Sequence, residues 1–431
     1  MTDHFKSESI DIQCLPSTIT PEVFNQLLLV ATEHGASDVV FRSSTQVRAR
    51  VSGEFQRISD AELEKEEIMS FIQYCQTEQT AISLSSGAPK SFAYNLLHPK
   101  GSQRFRFSAS SVNDKRSEYG VRLVCRPIQD RPLPLSVLGL PKDLEEALAT
   151  PNNKGIILIT GETGSGKTTL LASVIDKKAS MSGINIATLE DPIEFNLTYL
   201  NDETESIVAQ AALGTHLGSF AVGLRGLLRD NPDVILVGEM RDEETIKLGV
   251  EASRTGHLVY STLHVTNVSA IIDRMCMPFK GGEQIQMASS LIDSLRCGVN
   301  QELLPKVCQF CSVPITQKHP MLESTDVDLT NAKHPVGCDK CKGKGFSGRH
   351  PIIEYLVLTN NVRTELKRLL ITDGLGGVGI RLQELVEEFG QTKYMAAKKA
   401  FEAGMIAEEM FVAIFQEYQT LEYLQNAAKN R

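Results

Sequence analysis

A chain of 431 residues is long enough for two or three domains, and with 42% apolar residues it can bury sizeable cores. Its 44 basic and 53 acidic residues leave a formal net charge of −9. That balance argues against a nucleic-acid sleeve, which needs an excess of Lys and Arg, although a local basic patch stays open. The longest apolar runs, around Gly155–Thr160 and Val234–Gly238, are strand-length and far short of a bilayer span. The opening MTDHFKSESIDIQ has neither a basic n-region nor an apolar h-region, so no secretory signal is expected, and the nine cysteines fit a reducing compartment.

In chain order, residues 1–19 read as an N-terminal extension. Residues 20–130 alternate short helical and strand-like stretches: a β-branched run at Asp38–Arg42, another at Val47–Val51, and RFRFSAS at 104–110 with strict alternation. They predict a small α+β domain. The proline-bearing stretch 126–141 supplies a semi-rigid linker, assigned to 131–141. Residues 142–305 alternate apolar strands with helices, the pattern of a parallel α/β sheet. The chain is rich in Cys, Gly and Lys over 306–350, and 351–431 turns to amphipathic helices, with DGLGGVGI at 373–380 expected as a flexible break between them.

The strand Ile156–Ile159 runs into Gly161-Glu162-Thr163-Gly164-Ser165-Gly166-Lys167-Thr168-Thr169 and then a helical pattern. This is G-x-x-x-x-G-K-[ST] in its strand–loop–helix setting, whose glycines let backbone N–H groups turn inward around phosphate oxygens. Lys167 is expected to bridge β- and γ-phosphates and Thr168 to hold Mg²⁺. A plain glycine turn is the bland alternative.

A second buried strand, Asp233–Glu239, ends in a carboxylate that could orient or activate an attacking water; a Glu that merely ends a strand is the competing reading. Gly238 stands where such strands carry an Asp on the Mg²⁺ shell. The stretch Thr188–Phe195 places Glu190, Asp191 and Glu194 just past a strand, with Pro192 breaking the element. His257 and His264, seven residues apart, flank a further strand and are expected at its start and end.

Cys308-x₂-Cys311 and Cys338-x₂-Cys341, separated by 26 residues, read as a tetrahedral Zn²⁺ site with two thiolates from each pair; free thiols or disulfides are the alternative, the latter disfavoured in a reducing compartment. Core packing is the expectation for the other five cysteines.

TGETGSGKTTL, TLEDPIEF, LRDNPDVILVGEMRDEET and TGHLVYSTLH resemble, in order, the Walker A, Asp box, Walker B and His box of the secretion ATPase superfamily. That superfamily drives type II secretion, type IV secretion and type IV pili. HGASDVVF at 34–41 and RFRFSAS resemble its PAS-like N-terminal domain, and the Cys-rich phrase resembles the tetracysteine element of pilus-assembly and type II secretion motors. The extra N-terminal domain of assembly motors and the signature helix of retraction motors find no match. LVGEMRDEETI, EYLVL and KKAFEAGMI are most similar to the DotB/TraJ-like branch of type IVB secretion and conjugation.

The resemblance implies an α/β protein: a PAS-like α+β domain linked to a RecA-like P-loop ATPase with a tetracysteine element and C-terminal helices. It implies Glu239 as the Walker B glutamate, Glu194 as the Asp-box general base, and His257 and His264 as sensors of nucleotide state. Arg104 and Arg106 match N-terminal-domain arginines that reach the nucleotide, with Arg116, Arg122 and Arg126 as neighbours that could serve instead. Arg225, Arg229 and Arg241 line the Walker B region. The implied cofactors are ATP/ADP, Mg²⁺ and Zn²⁺. The implied assembly is a homohexamer in the cytoplasm, held at the inner membrane by components of a secretion, conjugation or pilus apparatus and without direct nucleic-acid binding. A retraction or type II secretion ATPase, a DNA-translocating P-loop motor and a non-hydrolysing nucleotide-gated scaffold are the alternatives.

Overall fold

Short strand-like stretches in the first third of the chain, strictly alternating in RFRFSAS, fold into strands. In a computed structural model, which describes residues 19–429 apart from 52, 77–83, 85–86, 100, 129–130, 151–153 and 182, these strands form one antiparallel sheet. The expected N-terminal extension, but for residue 19, lies outside the described residues. The strands are β1 (Ala36–Arg42), β2 (Gln46–Val51), β3 (Glu54–Glu62), β4 (Lys90–His98), β5 (Gly101–Val112) and β6 (Gly120–Pro127), in the order β3-β2-β1-β6-β5-β4. Helices α1 (Pro21–Glu33) and α2 (Lys65–Cys75) contribute Phe24, Leu28, Ile68 and Phe71 to a core shared with Phe41, Phe105, Phe107 and Leu123. Pro21 opens α1 behind the N-cap Thr20, and Glu67 reaches back to the N–H of Glu64 to cap α2.

Because side chains alternate across a strand, burying Phe105 and Phe107 leaves Arg104 and Arg106 together on the other face, where β-sheet register sets Arg106 opposite Arg126. Arg126 is held by the buried Asp38 at 2.9 Å, and Arg116 is taken up by Glu62 and Glu64. The chain divides between Arg131 and Pro132 into two compact units, with Glu194–Asn196 grouped with the first.

The second unit is built on a sheet ordered β15-β12-β7-β11-β10-β8-β9. Its members are β7 (Gly155–Thr160), β8 (Asn185–Glu190), β9 (Ile207–Ala212), β10 (Val234–Val237), β11 (Leu258–Leu263), β12 (Leu295–Val307) and β15 (Phe346–Val357). All neighbours are parallel except β15, which runs antiparallel to β12. Strands β7, β10 and β11 are buried along their whole length, as central parallel strands covered by helices must be. The helices are α3 (Lys142–Ala149), α4 (Lys167–Met181), α5 (Leu200–Glu203), α6 (Phe220–Leu227), α7 (Glu243–Arg254), α8 (Ile271–Cys276) and α9 (Gly282–Ser294). After β15 come α10 (Asn360–Thr372), α11 (Gly374–Phe389), α12 (Lys393–Glu402) and α13 (Glu408–Lys429).

Two sequence expectations change. The sheet does not stop at residue 305: the Cys-rich segment, with the short pair β13 (Val313–Pro314) and β14 (Lys333–His334), is an excursion between β12 and its edge partner β15. DGLGGVGI is a break only at its start: Asp373 and Gly374, at φ 68°, part α10 from α11, and the rest of the stretch is helical. Burial of Val378, Leu382, Leu385 and Val386 along one face of α11 outweighs the poor helix propensity of its glycines. No helix among the described residues is long and apolar enough to cross a membrane.

Lys178 on α4 is 2% exposed and donates to the carbonyl of Thr150, the C-cap of α3, at 2.6 Å, so a cation sits where a helix end favours one. Burial still pushes its pKa down from 10.5 to about 8. A lysine depressed in the folded state makes the unfolded chain bind more protons between those values, so folded stability gains with pH across that window and is at its lowest below it. Lys178→Met is therefore expected to differ most from the parent in thermal stability below pH 8, with the difference shrinking as pH rises towards 10.5. A difference independent of pH would show that the ammonium carries no such cost.

Candidate functional site

Parallel strands present their carboxyl ends along one edge, and loops there form the sites of open α/β sheets. The phosphate-loop motif leaves the end of β7 at that edge. Three of its glycines have φ values reserved for glycine: Gly161 at 138°, Gly164 at 82° and Gly166 at 86°. A Cβ on Gly161 would lie 2.2 Å from the carbonyl oxygen of Gln301, and one on Gly166 would lie 2.7 Å from Gln301 Nε2. The loop is thus seated on β12. Gln301 Nε2 donates to the carbonyl of Ser165 at 2.7 Å, and Asn300 Nδ2 donates to Thr160 Oγ1 and the Val265 carbonyl, both at 2.9 Å. Lys167 opens α4 and folds over the loop, its Nζ donating to the carbonyls of Gly161 (2.7 Å) and Glu162 (2.8 Å). Ser165 Oγ is buried without a hydrogen-bond partner among the described residues. A backbone cradle that admits no Cβ at Gly161 or Gly166, with an orphaned hydroxyl and a cation at its mouth, fits a chain of phosphate groups. Thr168 and Thr169 follow in the first turn of α4.

Glu239 lies two residues beyond β10. One carboxylate oxygen is 2.5 Å from Arg241 Nη2 and 3.5 Å from His264 Nε2, and its side chain is 16% exposed. Its anchor is short and stiff: the Gly238 N–H donates to Leu189 O at 2.7 Å, and Thr262 Oγ1 donates to Gly238 O at 2.6 Å. A Cβ at 238, where other strands of this kind carry Asp, would lie 3.2 Å from Leu189 O, a tight fit that Leu189 would have to relax to accept. Within the Asp box, Glu190 accepts from Thr188 Oγ1 at 2.6 Å and Gln210 Nε2 at 2.9 Å. Glu194 Oε1 is 3.6 Å from Arg106 Nη1.

His257 is not brought to this group. It precedes β11 at the opposite edge of the sheet: its backbone carbonyl accepts from Gly155 at the start of β7, and its Nδ1 sits 3.0 Å from the Ala252 carbonyl. The six residues of β11 separate it from His264, so of the two histidines only His264 meets Glu239. Arg225 pairs with Glu244 on α7.

Sequence reasoning missed Asn300, Gln301 and Arg349. Arg349, on β15, reaches the phosphate loop and donates to the Gly164 carbonyl at 3.3 Å. No spacing rule links residues this far apart in the chain; only the β12–β15 register, which sets Arg349 opposite Pro305, brings it there.

The four cysteines converge, their sulfurs all within 4.8 Å of one another, with Cys341 Sγ 3.8 Å from both Cys311 Sγ and Cys338 Sγ. Sulfurs bound at about 2.3 Å around a tetrahedral centre are separated by about 3.8 Å. Backbone N–H groups of Cys338 and Gly345 point at Cys341 Sγ at 3.2 Å, and that of Gly337 at Cys311 Sγ at 3.3 Å. At Cys341, burial raises the thiol pKa, but these amides and the neighbouring thiols outweigh it and bring it to about 6. Lys342, at φ 53°, and Gly343, at 74°, turn the chain tightly beneath the second pair.

The fold is that of a RecA-like P-loop ATPase joined to an α+β domain. Residues 16–378 match the family of Type II/IV secretion system proteins, and the chain belongs to that family. Its similarity to the ATPase DotB of Legionella pneumophila extends over 94% of this chain and 98% of that one, at 29% identity and a TM-score of 0.73. The pilus retraction motor PilT, crystallised with bound ADP, is similar over 90% of this chain and 95% of its own (27% identity, TM-score 0.70). In sequence, the type IV pilus retraction ATPase PilT of Pseudomonas aeruginosa is 33% identical over 282 residues, 65% of this chain and 78% of that protein.

Proposed function

We propose that this chain is the ATP-hydrolysing motor of a type IVB secretion or conjugative-transfer machine, working as a cytoplasmic homohexamer held at the inner membrane by partner proteins. The observation that carries the ATPase reading is the pairing, at one sheet edge, of a phosphate cradle with a carboxylate fixed by Arg241 and His264. Similarity to DotB across nearly the whole chain supports the branch.

In this reading the loop N–H groups and Lys167 bind the β- and γ-phosphates, with Lys167 exchanging its carbonyl partners for phosphate oxygens. Thr168 would hold Mg²⁺, which supplies charge neutralisation on the phosphates. Glu239 orients the attacking water and takes its proton as the water oxygen bonds to the γ-phosphorus and the bond to the ADP oxygen breaks. Arg241 and His264 hold the carboxylate in place. Glu194 is the second candidate base, held by Arg106. Arg349 braces the loop from outside.

Cys308, Cys311, Cys338 and Cys341 would hold one Zn²⁺ as a closed structural site. Elemental analysis of protein purified without chelator is expected to give one zinc per chain; a content well below one in fresh protein would rule the site out.

Arg104 and Arg106 are proposed to complete a nucleotide site, their own or a neighbouring subunit's, with Arg106 exchanging its pairing to Glu194 for phosphate oxygens. Turnover per subunit should then rise steeply with protein concentration. The Arg104→Ala/Arg106→Ala double variant should bind nucleotide yet hydrolyse poorly, and mixing it with Glu239→Gln should restore part of the activity. A fully active monomer in sedimentation would overturn the ring, and mixed rings without recovery would confine the arginines to their own chain. Single-stranded DNA should leave turnover unchanged, whereas a DNA-translocating motor would be stimulated.

A further inference from the structure

At the sheet edge opposite the phosphate loop lies a cavity of about 440 Å³, lined by Asp293, Arg296, Asn360, Arg363, Thr364 and Lys367. Asp293 comes from the end of α9 and Arg296 from the start of β12, while the other four recur at helical spacing over the first two turns of α10 and so share one face. Lys367 Nζ is 2.8 Å from both oxygens of Asp293, a pair that cancels its own charge.

That leaves two guanidiniums. Arg363 is 7% exposed and fixed entirely by neutral acceptors: Nη1 donates to the carbonyls of Leu295 and Leu358, each at 3.0 Å, and Nη2 to Asn360 Oδ1 at 2.6 Å. Arg296 is exposed, and its partner among the described residues is again neutral, the Lys154 carbonyl, 2.6 Å from Nε. Burial and then the charge of Arg296 push the pKa of Arg363 down, and Asp293 offsets this only in part. Two neighbouring cations, one of them buried and neither with a counter-ion of its own among the described residues, are unfavourable unless an anion joins them.

We propose that this cavity binds a phosphate monoester dianion, with Arg296 and Arg363 as its ligands. The net charge of the lining, three cations less one carboxylate, matches a dianion. Guanidinium forks suit phosphate oxygens, and the start of α10 adds a favourable dipole. The cavity exceeds the needs of the phosphoryl group and leaves room for the esterified part. That phosphate is either carried free in solution or presented by a lipid headgroup.

The test uses full-length protein carrying Lys167→Ala, which disables the phosphate loop as a competing site. It is titrated with inorganic phosphate by calorimetry and sedimented with phosphatidylcholine vesicles with and without phosphatidic acid. Arg296→Gln, at an exposed position, should weaken binding by about tenfold or more, the worth of one charge-assisted hydrogen bond, while thermal unfolding checks that the variant is folded. Asp293→Asn should tighten it by removing the competing carboxylate. Binding of inorganic phosphate with both dependences identifies a free phosphate, and binding of phosphatidic acid vesicles alone with the same dependences identifies a lipid. Binding to neither, or binding indifferent to both substitutions, overturns the proposal. An ATPase-inactive parent chain that still binds phosphate here would separate this site from the catalytic reading.

Discussion

Glu239→Gln is expected to bind nucleotide as the parent does and to lose turnover by roughly a hundred- to ten-thousandfold, the range contributed by a positioned general base. The amide keeps the size of the carboxylate, and its oxygen can still accept from Arg241, which lies 2.5 Å from the native carboxylate. Stiff packing at Gly238 holds the backbone in place. Only the ability to take the water's proton is removed. Paired measurements of ADP affinity and steady-state phosphate release separate the two effects. Turnover near that of the parent would reject Glu239 as the base, and an equivalent loss in Glu194→Gln with Glu239→Gln active would move the proton to the Asp box.

Gly161→Ala should be the most damaging single-atom change in the nucleotide-facing unit. Its φ of 138° is a region that side chains avoid, and the new methyl would lie 2.2 Å from the Gln301 carbonyl oxygen, which belongs to a strand paired on both sides. Neither partner can withdraw without breaking a ladder. Strain and overlap together should cost at least about 3 kcal/mol and abolish ADP binding. Gly164→Ala is the internal control: its φ is 82°, but no atom lies within 4 Å of the added carbon, so only about 1–2 kcal/mol of left-handed strain is expected. Thermal unfolding and ADP titration of the two variants side by side check the ranking. Equal effects would show that φ alone matters and that the seat on β12 does not.

Much of this was readable in the residues themselves. The phosphate loop is one contiguous motif whose chemistry and backbone needs coincide, so its place after a buried strand followed directly. The same holds for the alternation that sets Arg104 and Arg106 across from Phe105 and Phe107, and for the two CxxC pairs. What escaped was long-range register. Gln301, Asn300 and Arg349 carry no local signature, and their roles arise only because β12 lies beside β7 and β15 beside β12. The glycines at 373–380 misled for a related reason: helix propensity is a local term, and burial of Val378 and Leu382 against the rest of the unit is not. His257 shows a third limit, since a motif that brackets a strand says nothing about which end faces the chemistry.

Strand β15 meets several neighbours along its length. Gly345, just before it, accepts from Cys308 in the cysteine cluster, Arg349 touches the phosphate loop, and Glu354 accepts from the N–H of Val268 and, at 3.4 Å, from that of Lys393 at the start of α12. A strand registered pair by pair along β12 cannot slip by one residue without turning every side chain to the wrong face. It therefore behaves as a tie rod. A free-energy difference that nucleotide made between two settings of this strand would appear equally as a changed affinity at its other end, because linkage is reciprocal. With zinc at the proposed cysteine site, a change in ADP affinity on chelation would measure that coupling, and an unchanged affinity would show the two ends to be independent.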